Sequence, residues 1–221
     1  MIPRFPVTIY SIENCSLYPI IGILNNSQSG SYAGDGTSAV YLYGHQIEEG
    51  SYATSYIPTY GSAVTRNQDL STDAGSSSTF NDSEGTLFAE VFIEEDVESN
   101  VNISVSGGVH AQNLFKFIYL PTNLELRFEV YGASLVTRIQ VFNFSLGVYH
   151  KIAGSYDGTN TKLYIDGTQI NTISTEQLPT GLNQFNFDRA DGTAPFNGKA
   201  KKVLYFPTAL TNTELADLTT L

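Results

Sequence analysis

The chain has 221 residues, room for one sandwich-sized domain with an appended piece, and its 41% hydrophobic content supports a buried core. Twenty-two acidic side chains against eleven basic ones leave a formal charge of -11, a field that repels phosphate backbones and anionic membranes and argues against nucleic acid as a partner. A single cysteine, Cys15, excludes an intrachain disulfide framework, and His45, His110 and His150 form no zinc-type cluster with it.

The N-terminus lacks the basic, apolar and small-residue succession of a signal peptide. The longest aliphatic run, 20–24, is interrupted by Gly22 and is too short to span a bilayer, so no membrane insertion is expected. Val7 and Ile9, the run 20–24, and Val40 with Leu42 predict a few strands, too few for an independent sandwich. Residues 1–50 thus read as a partial β-sandwich segment. Residues 51–83 read as a connector, because 71–83 are dense in Ser, Asp and Gly.

From residue 84 to 221 the two-residue period of half-buried strands takes over. Leu87, Ala89, Val91 and Ile93 alternate with Thr86, Phe88, Glu90 and Phe92, and Val101, Ile103 and Val105 follow with polar neighbours. Leu124, Leu126, Phe128 and Val130 lie opposite Glu125, Arg127, Glu129 and Tyr131, one face for the core and one for solvent or a binding surface. Further strands are predicted at 138–144, 149–156, 162–165, 184–187 and 201–206. Turn dipeptides punctuate them at Gly107-Gly108, Asp157-Gly158, Asp166-Gly167, Asp191-Gly192 and Asn197-Gly198. Short strands and tight turns in this rhythm predict an all-β antiparallel sandwich or jelly roll. One short helix is signalled at the C-terminus, where Thr211 and Glu214 make a capping box and Leu210 and Leu215 a hydrophobic staple. Leu215, Leu218 and Leu221 would then cover an end of the sandwich.

The stretch YLYGHQIEEGSYATSYIPTYGSAVTRNQD from Tyr41 resembles the closing segment and exit linker of carbohydrate-binding-like sandwich domains in bacteriophage tail-fibre and other virion proteins. EGTLFAEV from Glu84 and the ending from Gln184 resemble the concanavalin A-like, laminin-G-like domain that follows that linker. YHKIAGSYDGTNTKLYIDGTQI from Tyr149 is similar to the central hairpin of laminin-G-like domains. The upstream sandwich is represented only by its final strands, and Trp, common on related sugar-binding faces, is absent. The resemblance implies a lectin-like fold, a virion-surface location, other virion proteins as partners, and attachment to a host cell-surface glycan. A homotrimer is expected, since the incomplete N-terminal stretch gains most from neighbouring chains. A structural decoration or assembly module of the virion without sugar binding is the alternative, and a glucanase-like glycoside hydrolase is a further one.

Sugar binding needs an aromatic platform and fixed polar groups for the hydroxyls. Two turns offer these, Tyr156, Asp157 and Asn160 in one, Asp188, Arg189 and Asp191 in the other, and both are expected at the same end of the sandwich. Local structure gives the same residues another role: Asp-Gly is turn chemistry, and Asp188 and Arg189 can pair across a hairpin. Glu94, Asp96 and Glu98 have the spacing of a glucanase acidic strand motif. Glu95, where that motif has an aliphatic residue, instead predicts a solvated acidic loop. No Gly-x-Ser-x-Gly elbow accompanies the histidines. No enzyme activity, cofactor or metal is therefore expected; calcium has oxygen donors here but no diagnostic spacing.

Overall fold

A computed structural model of the chain describes residues 56–58, 60–65, 71, 74–95, 97–108 and 111–221. The chain divides into two compact units, Met1–Asn67 and Gln68–Leu221. The strands predicted before residue 50, together with Cys15, His45, His110 and Asp96, lie outside the described residues.

The second unit is an antiparallel sandwich. Its strands are β1 (Gly85–Phe92), β2 (Val101–Ser106), β3 (Leu114–Leu120), β4 (Glu125–Tyr131), β5 (Val136–Val141), β6 (Tyr149–Tyr156), β7 (Asn160–Ile165), β8 (Thr168–Ser174), β9 (Gln184–Asn186) and β10 (Lys199–Phe206), followed by helix α1 (Asn212–Thr219). Sheet 1 has the order β10-β1-β6-β7-β8 and sheet 2 the order β5-β4-β3-β2-β9. The predicted all-β sandwich is the observed architecture, and the 149–156 strand has the predicted bounds.

Alternation puts Leu87, Ala89, Val91, Ile152 and Leu163 of sheet 1 against Ile103, Val105, Phe117, Phe128 and Ile139 of sheet 2. At Gly154 an added Cβ would stand 2.4 Å from the Phe128 ring across the core, so no larger residue fits without displacing that ring. Phe80, from the stretch expected to be connector, is buried in the same core, its ring 4.9 Å from that of Tyr205. The backbone N–H of Phe185 donates to the Ala74 carbonyl, so the sandwich draws on chain well before Glu84.

Several expectations need correction. Leu124 is not a core residue: it ends a 3-10 turn at φ 47° and is 44% exposed. β3 and β8 are additional strands. The helix packs on the outer face of sheet 1 rather than on an end of the sandwich, Leu215 joining Phe88, Ala153 and Tyr164, while Leu221 stays exposed. Its capping box forms as the sequence implies, with the Glu214 N–H donating to the Thr211 hydroxyl and the Thr211 N–H to the Glu214 carboxylate. β10, an edge strand, carries the exposed side chains of Lys199, Lys201 and Lys202.

Candidate functional site

The two sheets differ on their outer faces. Sheet 1 turns apolar residues outward beneath α1. Sheet 2 turns outward a row of polar side chains set by strand register: Arg138 opposite Glu129, Glu129 opposite Lys116, Lys116 opposite Ser104, and Ser104 opposite Asn186. This ladder runs across all five strands. Arg127 and Gln140, paired across β4 and β5, lie one step along the same face. Every arginine among the described residues, Arg127, Arg138 and Arg189, belongs to this ladder or approaches it.

Glu129 is the hub. Its carboxylate accepts from Arg138 Nε at 2.5 Å and from the Tyr131 hydroxyl at 2.8 Å, with Lys116 Nζ and Arg127 Nη1 each at 3.6 Å. Arg127 donates through Nε and Nη2 to Glu125 at 2.6 and 2.9 Å, a fork that fixes its plane. That fork, more than any other influence, holds the Glu125 carboxyl below the usual range. Burial pushes the Lys116 ammonium below its ordinary value; Glu129 opposes this, and the charges of Arg189 and Arg138 add to the lowering. Burial and then Glu129 push the Tyr131 phenol up to about 12. Desolvating such charges costs about several kcal/mol per ion, and apolar side chains of similar volume are often at least as stabilising. Stability alone therefore does not account for the cluster.

The segment after β9 folds over the β2 side of this face. Ser104 Oγ donates to the Asp188 carbonyl at 2.9 Å and Asn102 Nδ2 to the Ala194 carbonyl at 3.0 Å. Asp188 Oδ1 accepts the Ala190 N–H, and Arg189 pairs with Asp191 at 2.9 Å rather than with Asp188. Hydrogen bonding from Arg189 first, then from Thr193, holds the Asp191 carboxyl well below its ordinary range. Arg189 Nε is buried without a hydrogen-bond partner among the described residues.

The other predicted turn lies elsewhere. Tyr156 is fully buried, and its hydroxyl donates to the Asn81 carbonyl at 2.7 Å, so its ring offers no platform. Asp157 Oδ1 accepts the N–H groups of Thr159 and Asn160, both at 2.7 Å, which is turn chemistry. This turn belongs to sheet 1, at the end where Tyr156 pairs with Gly85. From β9, beside Ser106 to Ser104, the chain runs on past Asn102 toward Ser99. Asp188, Arg189 and Asp191 are thus brought together on the ladder face, and Tyr156, Asp157 and Asn160 are not with them. Lys116 and Arg138 were missed; the alternation of Glu125, Arg127, Glu129 and Tyr131 was the signal pointing to their face.

Glu94 and Glu98 fall in the loop after β1 and not on a strand, with Glu94 paired to Lys199 at 2.9 Å. His150 has a definite setting, Nδ1 2.6 Å from Asp166 Oδ2 and Nε2 2.9 Å from Ser145 Oγ and 3.0 Å from the Ser145 carbonyl. Among the described residues no group of three His, Cys, Asp or Glu side chains could hold a metal ion, and no helix is long and apolar enough to cross a membrane.

Residues 65–216 match the Laminin_G_3 family, described as the concanavalin A-like lectin/glucanases superfamily. No curated protein matches the sequence at a significant level. Among solved structures, the CBM40 of the Ruminococcus gnavus IT-sialidase, bound to α2,3-sialyllactose, is similar at TM-score 0.53 and 19% identity, covering 63% of this chain and 84% of that one. The leech intramolecular trans-sialidase complexed with 2,7-anhydro-Neu5Ac is similar at TM-score 0.53 and 14% identity, over 63% of this chain and 23% of that one. The NanB sialidase of Streptococcus pneumoniae gives TM-score 0.53 and 12% identity, over 65% and 25%. At these identities the likeness is one of fold, and with both sialidases it covers about a quarter of their length.

Proposed function

Because the chain belongs to the concanavalin A-like lectin/glucanases superfamily, we propose that its sandwich binds glycan through the outer face of sheet 2, as a non-catalytic, host-surface adhesion component of a tail-fibre type virion. The observation that carries this reading is the ladder from Arg138 to Asn186, polar and fixed in register across all five strands of sheet 2, whereas α1 covers the apolar patch on the outer face of sheet 1. Ser104 and Asn186 are buried, but Arg138 and Gln140 on the same face are exposed and Arg127 is half-buried. Oriented guanidinium and amide groups are what sugar hydroxyls require. Sialyllactose held by a module of similar fold supports a sugar as the ligand. The virion part rests on the resemblance of the 41–69 stretch to tail-fibre linkers.

A shallow site of this kind binds feebly alone. Linking copies, as in the homotrimer we propose, raises avidity by about two to four orders of magnitude. A glycan array with the protein and with Arg127→Ala and Gln140→Ala tests the reading. Selective binding that weakens in both variants is expected, and binding to no glycan overturns it. Light-scattering mass tests the trimer, and a monomer at all concentrations removes it.

A structural decoration module is the second reading. It is favoured by the internal pairing of Glu125 with Arg127 and Glu129 with Arg138. The same array separates the two.

A further inference from the structure

We propose that the glycan bound on this face carries an anionic group, a carboxylate or a sulfate, received by the outward edge of Arg138. The proposal rests on the reading of the face as a glycan site and adds the chemical class of its ligand.

The three arginines are not equivalent. Arg127 spends Nε and Nη2 on Glu125, so it braces the face. Arg189 gives Nη2 to Asp191. Arg138 gives Nε to Glu129 and also interacts with the Tyr131 hydroxyl, and among the described residues its Nη1 and Nη2 form no ion pair with a carboxylate. A guanidinium held at Nε presents its two terminal nitrogens as a planar fork pointing away from the carboxylate that orients it. That fork matches two oxygens of a carboxylate or sulfate better than it matches a single hydroxyl. The Arg138 side chain is 37% exposed, whereas Glu129 and Lys116 beside it are almost sealed at 2% and 3%. The carboxylate that orients the guanidinium is therefore shielded, while the Arg138 side chain is partly open to solvent.

The local field points the same way. The Lys116 ammonium feels Glu129 but also the positive charges of Arg189 and Arg138, which disfavour its proton. An anion arriving at Arg138 relieves that repulsion. The chain's formal charge of -11 repels anions at long range, so an anion is held only where a local cationic group such as Arg138 receives it.

The test is calorimetric titration of the whole chain with 3′-sialyllactose, 3′-sulfolactose and lactose at low and high salt, repeated with Arg138→Ala and Arg138→Lys. The expected result is tighter binding of one or both acidic sugars than of lactose, by about 10- to 100-fold. That advantage shrinks with salt and disappears in Arg138→Ala. Arg138→Lys keeps the charge without the fork and restores only part of it. Preference for one acid over the other identifies the group and supports the proposal in either case. Equal binding of lactose and both acids, with Arg138→Ala unchanged, overturns it while leaving the face a glycan site. Binding of no sugar overturns both. If Arg138→Ala melts at a much lower temperature than the parent chain, Arg138→Lys and the salt dependence decide.

Discussion

His150 Nδ1 stands 2.6 Å from Asp166 Oδ2, and the other carboxylate oxygen of Asp166 accepts the Lys151 N–H at 2.9 Å. One side chain in the β7–β8 turn therefore fastens both an imidazole and a strand backbone. Asp166 adopts φ 49°, a conformation that Asn also tolerates. Asp166→Ala is expected to cost about 1–3 kcal/mol, because it leaves partly buried donors unmet and strains the turn. Asp166→Asn, which keeps an acceptor and the backbone preference, is expected to cost less. Urea unfolding of the two variants measures the order, and equal losses contradict the assignment.

Glu129 collects the side chains of Lys116, Arg138 and Tyr131 in a sealed position. Glu129→Leu strands two cations and is expected to remove about 3–5 kcal/mol of stability. Adding Lys116→Met replaces the buried pair with apolar volume and recovers part of the loss, though not the share due to Arg138. A double-mutant cycle in denaturant reads the coupling. Strict additivity shows the pair to be inert.

The Glu125 carboxyl is held low chiefly by the Arg127 fork. Its folded pKa lies below the unfolded one, about 4.3 for a free Glu. The stabilisation is thus complete above the unfolded value and is lost as pH falls through the folded value. Stability measured from neutral pH downward is expected to fall more steeply in the parent chain than in Glu125→Gln below about pH 4.3. Parallel curves refute this.

Gly154 faces Phe128 across the core. Gly154→Ala forces the ring aside and is expected to cost about 1–3 kcal/mol. Phe128→Leu in the same chain opens the space, so the Gly154→Ala penalty shrinks there. Melting temperatures of the four proteins provide the comparison, and an undiminished penalty places the clash elsewhere.

Much of this molecule was legible in its sequence because local rules coincide with tertiary ones. The capping box at Thr211 and Glu214 and the strand 149–156 are written in neighbouring residues. β3 escaped because Leu114, Phe115, Phe117, Ile118 and Tyr119 are buried on both faces, which erases alternation. β8 escaped for the opposite reason, being a largely exposed, polar edge strand, although the Asp166-Gly167 turn already required a partner for β7. The ladder was half visible. Glu125, Arg127, Glu129 and Tyr131 mark a face, but Lys116, Ser104, Asn186 and Arg138 join them only through the pairing of separate strands. Register of that kind is a property of the folded sheet. Local spacing instead favoured Asp157 and Asn160, which serve their own turn.

The lysines of β10 bear on how such domains behave when crowded. A bare sheet margin invites a strand from the next molecule, and ammonium groups along it discourage that union. Lys201 Nζ lies 3.7 Å from the centre of the Tyr149 ring and 3.0 Å from Glu90, and Lys199 is tied to Glu94. The protective charges are thus pinned along the margin instead of trailing in water. Dense packing of many copies can proceed without their sheets fusing into fibrils, a tolerance that acetylating these amines would take away.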